Sequence, residues 1–355
     1  MKQIKMLLLA SMVILFTACG GGSSSDGTAP SATTSGSTPT ATTPDSTSSA
    51  KTETGVMSLS ITDAPPQLPG TVTAVYITVT GIEFNYDGNW MDVNDFEFEN
   101  DEFEKNKFES QTFDLLALHD GESLYLGDIV LPVGHYKEIR FKLDAPEKNG
   151  KVKSNPGCYI EFGEDEPIAP LFVPSGGQSG YKGKGDFDIT ANAKIKIMAD
   201  FNVEKSIVVA GNSGKYLLKP VIRLVVTELS GTINGTVVDI ETFNKENDDL
   251  FVYAYEAGTY DSTYPEDDEM VPNSDGSHFL NSISSTDVNM SDGNFTLSFL
   301  EEGAYDLVTV NYPVDVEGTD PIVVDVEKGD DGKGVIVSKA TETPVDVNTS
   351  DYPPL

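Results

Sequence analysis

From residue 55 onward, apolar and polar side chains alternate instead of recurring at helical spacing. Met57, Leu59 and Ile61 alternate with Ser58, Ser60 and Thr62 in "GVMSLSITDAPP", and Val75, Ile77 and Val79 alternate with Tyr76, Thr78 and Thr80 in "VTAVYITVTGIEF". A period of two places one set on a buried sheet face and the other toward solvent, so both segments are predicted strands. Pro65, Pro66, Pro69 and Gly70 break the chain between them. Further strands are predicted in "SLYLGDIVL", in "HYKEIRFKLDA" after a turn at Pro132 to Gly134, and in "CYIEF", "AKIKIMADFNV" and "YLLKPVIRLVVTE". Pro220 fits a sheet edge or a strand start, because it cannot donate to a central ladder. Helical periodicity is confined to Phe113 to Leu118. "SGGQSGYKGKGD" and "AGNSGK" read as Gly-rich strand connections; neither has the G-x-x-x-x-G-K-[ST] spacing of a phosphate loop or the G-x-S-x-G of a nucleophile elbow.

The same alternation returns after residue 229. "GTINGTVVD" opens it, Phe251, Tyr253 and Tyr255 alternate with Val252 and Ala254, and Phe295, Leu297 and Phe299 alternate with Thr296 and Ser298. Asp292-Gly293 and Glu302-Gly303 are turn signals on either side of the last strand. Residues 258–278, "GTYDSTYPEDDEMVPNSDGSH", interrupt the pattern as a long acidic loop, and "ETPVDVNTSDYPPL" at the end is expected to be irregular.

The N-terminus follows a different rule. "MKQIKMLLLASMVILFTA" has two early lysines, an apolar run from Met6 to Phe16 and small residues before Cys19. The run is shorter than the roughly 20 apolar residues of a spanning helix, which favours an export signal. It resembles the signal peptide of bacterial lipoproteins, although Phe16 stands where an aliphatic residue is usual. That resemblance implies that Cys19 becomes the mature N-terminus and carries lipid. Residues 20–54 are Gly, Ser, Thr, Pro and Ala with almost nothing to bury, so ordering entropy would go uncompensated and a flexible tether is expected. Its end-to-end distance as a coil is roughly 30–35 Å.

Together these patterns predict an all-β protein: two β-sandwich-like domains behind a lipoprotein signal peptide and a disordered linker. The expected division is a signal peptide at 1–18, lipidated cysteine and tether at 19–54, a first β domain at 55–228, a second at 229–345 and an irregular tail at 346–355.

Charge changes the picture of partners. The 355-residue chain has a net charge of -34. Residues 55–228 carry 27 acidic and 16 basic side chains, whereas residues 229–355 carry 27 acidic and 4 basic, so the net values are -11 and -23. Such a field repels nucleic acid and anionic lipid surfaces. The expected partners are therefore the lipid bilayer, reached through the acylated N-terminus, and an envelope protein or glycan, with no nucleic acid. The cell envelope is the expected location, with the outer membrane favoured where the cell has one. Besides Cys19 the chain has only Cys158; with Cys19 acylated there is no disulfide, and Cys158 is expected to be buried and inert.

Two family resemblances refine this reading. "SLSITDAPP", "VTAVYITVTGIEFNYDGNW", "FDLLALHDG", "LPVGHYKEIRFKLD" and "KSIVVAGNSGKYLLKPVIRL" resemble the DUF4382 family across residues 55–228. This implies an extracytoplasmic β domain and brings no catalytic residue. "GTINGTVVD", "VYAY" and "GNFTLSFLEEGAYDLV" resemble the carboxypeptidase regulatory-like, transthyretin-like β-sandwich. Such domains usually serve as non-catalytic structural or binding modules.

Candidate chemistry is sparse. Asp63 in "TDAPP" is expected to cap a turn, with ligand or metal contact as the lesser alternative. "HDGE" at 119–122 contains the H-x-x-E pair of some zinc peptidases, but two ligands do not make a zinc site, and a turn is the simpler reading. Carboxylates interleave with phenylalanines from Asp92 to Glu109, as a solvated insertion or a calcium- or partner-binding loop. No catalytic residue is identified and no cofactor is required. Calcium is the one candidate ion, with weak contacts from Asp267, Asp268, Glu269, Asp330 and Asp331; an EF-hand is excluded by spacing. The function expected is a non-catalytic binding, adhesion or envelope-structural module, with a surface-polysaccharide hydrolase using an unidentified carboxylate pair as the alternative.

Overall fold

The computed structural model describes residues 53–64, 72–86, 88–95, 97–100, 103–105, 107–119, 121–146, 156–163, 167–173, 180–210, 214–260, 279, 281–313, 321–329 and 331–349, with backbone only for 97–100 and 103–105. The expected signal peptide, Cys19, nearly all of the tether and the last residues of the tail lie outside this set. Among the described residues no helix is long and apolar enough to cross a membrane.

The first domain contains β1 (Thr54–Ala64), β2 (Ala74–Tyr86), β3 (Asn89–Asp92), β4 (Glu97–Asn100), β5 (Phe103–Lys105), β6 (Gln111–Asp114), β7 (Leu124–Pro132), β8 (Gly134–Leu143), β9 (Tyr159–Glu161), β10 (Ala169–Phe172), β11 (Tyr181–Ile189), β12 (Lys194–Asn202), the one-turn helix α1 (Val203–Ser206), β13 (Ile207–Ala210), β14 (Lys215–Leu218) and β15 (Val221–Val226). One hydrogen-bonded path runs β13-β14-β10-β9-β2-β8-β11-β15-β12-β1-β7, with β3 and β6 added beside β2. Its middle and both its ends feed one core: Met57, Leu59 and Ile61 from β1 join Ile77, Ile82 and Phe84 from β2, Ile139 and Phe141 from β8, and Leu218 from β14. A sheet this long reaches a common core only by curling on itself. Pro220 stands just before β15, as its missing donor requires. Cys158 is fully buried in this core, and burial pushes its thiol up to about 12, which removes the reactive thiolate.

The second domain contains β16 (Ser230–Val237), β17 (Asp248–Glu256), β18 (Ser284–Asp287), β19 (Asn294–Glu301), β20 (Gly303–Pro313), β21 (Ile322–Glu327), β22 (Val335–Val337) and β23 (Glu342–Val347). Two sheets, β19-β16-β23 and β18-β17-β20-β21 with β22 beside β20, enclose a core that includes Ile233, Leu297, Leu250, Val252 and Leu307. No strand of one domain pairs with a strand of the other among the described residues. Both domains nevertheless lie in one compact unit.

Four sequence expectations change. Residues 181–189 form a strand inside the sheet, not a Gly-rich connection. Gly183 and Gly185 face the neighbouring strand, where a Cβ would meet Leu224 at 2.8 Å and the Leu224 carbonyl oxygen at 2.2 Å respectively; glycine is there because backbones approach, not because the chain turns. Residues 342–347 are not irregular: β23 runs parallel to β16 at the sheet edge, where Pro344 is tolerated, and Val347 closes the core. Glu302-Gly303, read as a turn beside the last strand, does not turn the chain back within one sheet: β19 and β20 lie in different sheets. Finally, the acidic excursion after β17 does not begin and end in solvent. Tyr260 stacks obliquely on Tyr255 at 5.1 Å, and Phe279 stacks on Tyr253 at 4.4 Å. These rings cover the sheet face opposite the core and make a second apolar layer with Phe251, Val308, Val310 and Tyr312.

Candidate functional site

The outward face of β3, β2, β8 and β11 carries a network of ion pairs beside several exposed charged side chains. Period-two alternation puts Ile139, Phe141 and Leu143 of β8 into the core and leaves Arg140 and Lys142 outward; its phase shifts at Lys137 and Glu138, so that Tyr136 is also buried while His135 and Lys137 are exposed. The same rule in β11 turns Lys182, Lys184, Asp186 and Asp188 outward. Register then sets neighbours: Lys182 lies opposite Arg140, Lys184 opposite Glu138, and Arg140 opposite Glu83.

Most of these charges neutralise one another. Glu83 receives Arg140 at 2.9 Å and Lys142 at 2.7 Å, Lys142 also reaches Asp92 at 3.2 Å, and Lys182 meets Glu138 at 3.1 Å. Burial by itself raises the Glu83 carboxyl, but hydrogen bonds from Lys142 and Arg140 outweigh it and hold the group below its ordinary range. The Arg140 guanidinium lies 3.8 Å from the ring centre of Trp90, the single tryptophan of the chain, and Lys182 lies 5.2 Å away.

Beside this network is a groove of about 690 Å³, lined by Asn85, Gly88, His135, Lys137, Glu138, Lys184, Gly185 and Asp186. The register shift between Lys184 and Phe187 interrupts the β8–β11 pairing here. His135 bridges Asp188 at 2.9 Å and Asp186 at 3.5 Å. Lys137 and Lys184 are exposed and make no ion pair among the described residues.

A second, smaller cleft of about 280 Å³ lies where the two domains meet, lined on one side by Asp200, Asn202, Lys205 and Arg223 and on the other by Glu256, Ser282, Glu301 and Tyr305. Asp200 is tied to Arg223 at 2.6 Å. The Lys205 ammonium donates to the Ser282 carbonyl across the seam. Deeper in the seam the Tyr253 hydroxyl donates to Glu204 at 3.4 Å and pairs with the Tyr312 hydroxyl at 2.8 Å. Burial, then the Glu204 charge, pushes both phenols far above their usual range. Asp249, whose carboxyl is raised by burial and then by Asp248, lies at the opposite end of β17 from Glu256. In this cleft the charged groups of Asp200, Arg223 and Lys205 are already engaged.

The sequence-predicted positions are placed as follows. Asp63 is buried, and its carboxylate accepts the Val203 N–H at 3.0 Å, at the start of α1; the turn it is expected to cap, residues 65–71, lies outside the described residues. His119 and Glu122 form the turn expected of "HDGE", with the Glu122 N–H donating to the His119 carbonyl and Gly121 at φ +81°. The His119 imidazole is 3.6 Å from Asp287 of the second domain. Asp331 accepts from the Lys333 backbone at 3.1 Å and pairs with the Lys333 ammonium at 2.8 Å. Asp267, Asp268, Glu269 and Asp330 lie outside the described residues, and no cluster of three metal-ligating side chains occurs among the residues described. The 92–109 insertion contains the β4–β5 pair, and Phe108 packs on the core.

Residues 54–220 match the family model whose description is "Domain of unknown function (DUF4382)". This segment is a DUF4382 domain. The groove and the Trp90 network both belong to the DUF4382 domain, whereas the smaller cleft is shared with the second domain, beyond the end of the match. No curated protein matches the chain. Among solved structures, the chain is similar to the Bacillus anthracis TIE protein at 10% identity, with 84% of this chain and 34% of that one covered and a TM-score of 0.17. For the streptococcal ancillary pilin the values are 13% identity, 84% and 63% coverage and a TM-score of 0.18. For a Bacteroides thetaiotaomicron DUF1812 protein, provisionally described as polysaccharide-binding, they are 10%, 82%, 90% and 0.17. The chain thus spans 34% and 63% of the first two proteins. Superpositions at these scores carry no argument about fold or role.

Proposed function

We propose that the chain is an envelope-tethered binding module, acylated at Cys19, held off the bilayer by residues 20–54 and non-catalytic. In this reading the DUF4382 domain presents the ligand surface. The second domain, which we assign to the carboxypeptidase regulatory-like class on the sequence resemblance of "GTINGTVVD", "VYAY" and "GNFTLSFLEEGAYDLV", serves as its structural support. The observation that carries the reading is the groove beside Trp90: an outward sheet face with fixed neighbours and two unneutralised lysines, in a chain that is otherwise strongly acidic. The several acyl chains of a mature lipoprotein would hold such a module durably, because each buried methylene contributes about 0.8 kcal/mol.

Intact-mass analysis of the protein extracted from its native membrane tests the tether. The expected mature N-terminus is a lipid-modified Cys19; a soluble product starting elsewhere contradicts it.

A further inference from the structure

We infer that the groove on β8 and β11 binds an acidic polysaccharide whose sugars carry carboxylates, a uronic-acid polymer, with Lys137 and Lys184 as its cationic contacts. The inference rests on the binding-module reading and adds the ligand class.

Charge is the first argument. Five Lys and Arg side chains lie on this face, and Arg140, Lys142 and Lys182 each have a carboxylate partner. Lys137 and Lys184 have none among the described residues, and both line the groove. They stand on adjacent strands, Lys184 opposite Glu138 in the backbone register and Lys137 next to Glu138 along β8. An anionic group seated between them gains charge-assisted hydrogen bonds without displacing an existing pair.

The lining also contains acceptors, and these narrow the class. Glu138 and Asp186 offer carboxylate oxygens, and Asn85 offers an amide that both donates and accepts. The -34 charge of the chain opposes every polyanion, a uronic-acid polymer included, so a ligand with anionic groups and no hydroxyl donors would meet the lining carboxylates with repulsion and nothing to offset it. A uronic-acid polymer supplies carboxylates for the lysines and hydroxyl donors for Glu138, Asp186 and Asn85. The groove's volume of about 690 Å³ is within the range of small-ligand sites, so it would hold a short stretch of such a chain.

Trp90 supplies the readout. Its strand partner Asn85 lines the groove, and Lys182, which lies over its ring, is paired with Glu138 of the lining. As the single tryptophan it reports occupancy of this site by its fluorescence. The mature protein in detergent is titrated with polygalacturonate, with the same polymer after full methyl esterification, and with poly-L-glutamate.

The expected result is a saturable change with polygalacturonate that weakens at least tenfold on esterification, is absent with polyglutamate and falls with added salt. The double substitution Lys137→Gln with Lys184→Gln should weaken polygalacturonate binding about tenfold, roughly 1.4 kcal/mol, while leaving the thermal melt unchanged. Equal binding of the esterified polymer would make the ligand a neutral glycan, overturning this inference but not the binding-module reading. Equal binding of polyglutamate would reduce the site to general polyanion attraction and overturn the assignment. No response to either sugar polymer would also overturn it, while the tether is judged separately by the mass of Cys19.

Discussion

The two domains use their outward sheet faces in opposite ways. In the first, β2, β8 and β11 bury one face and leave the other to water, where it carries Lys137, Lys184 and the Trp90–Arg140 pair. In the second, β17 is buried on both sides: Val252 and Ala254 face the sandwich core, while Tyr253 and Tyr255 face a second layer closed by Tyr260 and Phe279 and, at the seam, by Glu204. A face filled with packed rings stabilises and has nothing left to offer a ligand. A face of charged groups stabilises little and is available. This difference is why binding is assigned to the first domain and support to the second.

The comparison breaks most visibly at Tyr253. Although Tyr253 lies on the face away from the sandwich core, Tyr253→Ala should behave as a core deletion and cost about 3–5 kcal/mol, a fall of roughly 10 °C in melting temperature. Lys184→Ala, at an outward position of the first domain, should change stability by less than about 0.5 kcal/mol. Similar losses at the two positions would erase the distinction.

Gly185→Ala probes the inner side of the same strand as Lys184. The added Cβ would lie 2.2 Å from the Leu224 carbonyl oxygen, a backbone atom that cannot swing aside, so a loss of about 1–3 kcal/mol is expected in thermal or denaturant unfolding. An unchanged melt would mean that β11 and β15 do not approach as closely as described.

The ion-pair network gives a pH-dependent effect. The folded-state pKa of Glu83 is depressed by Lys142 and Arg140, so its contribution is fully present above the ordinary carboxylate range and is lost as pH falls through the folded value. Glu83→Gln should cost about 1.5–3 kcal/mol at pH 7, and the gap from wild type should narrow below about pH 4. A gap that widens with acid would reverse the sign assigned to this group.

Much of this organisation was legible in the sequence, and the failures have physical causes. Period-two alternation located β1, β2, β8, β12 and β17 because each of these strands carries large apolar side chains along a buried face. It missed β11, where "YKGKGDFDI" alternates just as strictly but has glycine at Gly183 and Gly185, and glycine reads as a turn unless the opposing strand is known. That single misreading concealed Lys184 and with it the groove. β23 was missed because Pro344 is a breaker everywhere except at an edge. Aromatic alternation in "FVYAY" signalled the strand, but the ring layer depends on Phe279, far along the chain, which no local pattern links to Tyr253.

The smallest expected effect concerns calcium. Asp331 is engaged by Lys333, and an exposed pair of this kind is worth little to stability. Melting curves of the full chain in calcium, magnesium and ionic-strength-matched sodium chloride are therefore expected to coincide. A shift specific to calcium would instead point to a site involving Asp267, Asp268, Glu269 or Asp330.

The most direct measurement of the central contrast is lysine acetylation of the intact protein, read residue by residue by mass spectrometry with and without polygalacturonate. The account predicts ready modification of Lys137 and Lys184 in the free protein and protection of both when the polymer is added, with Lys245 and Lys339 of the second domain unaffected. Protection centred on the second domain, or spread evenly over both, would contradict it.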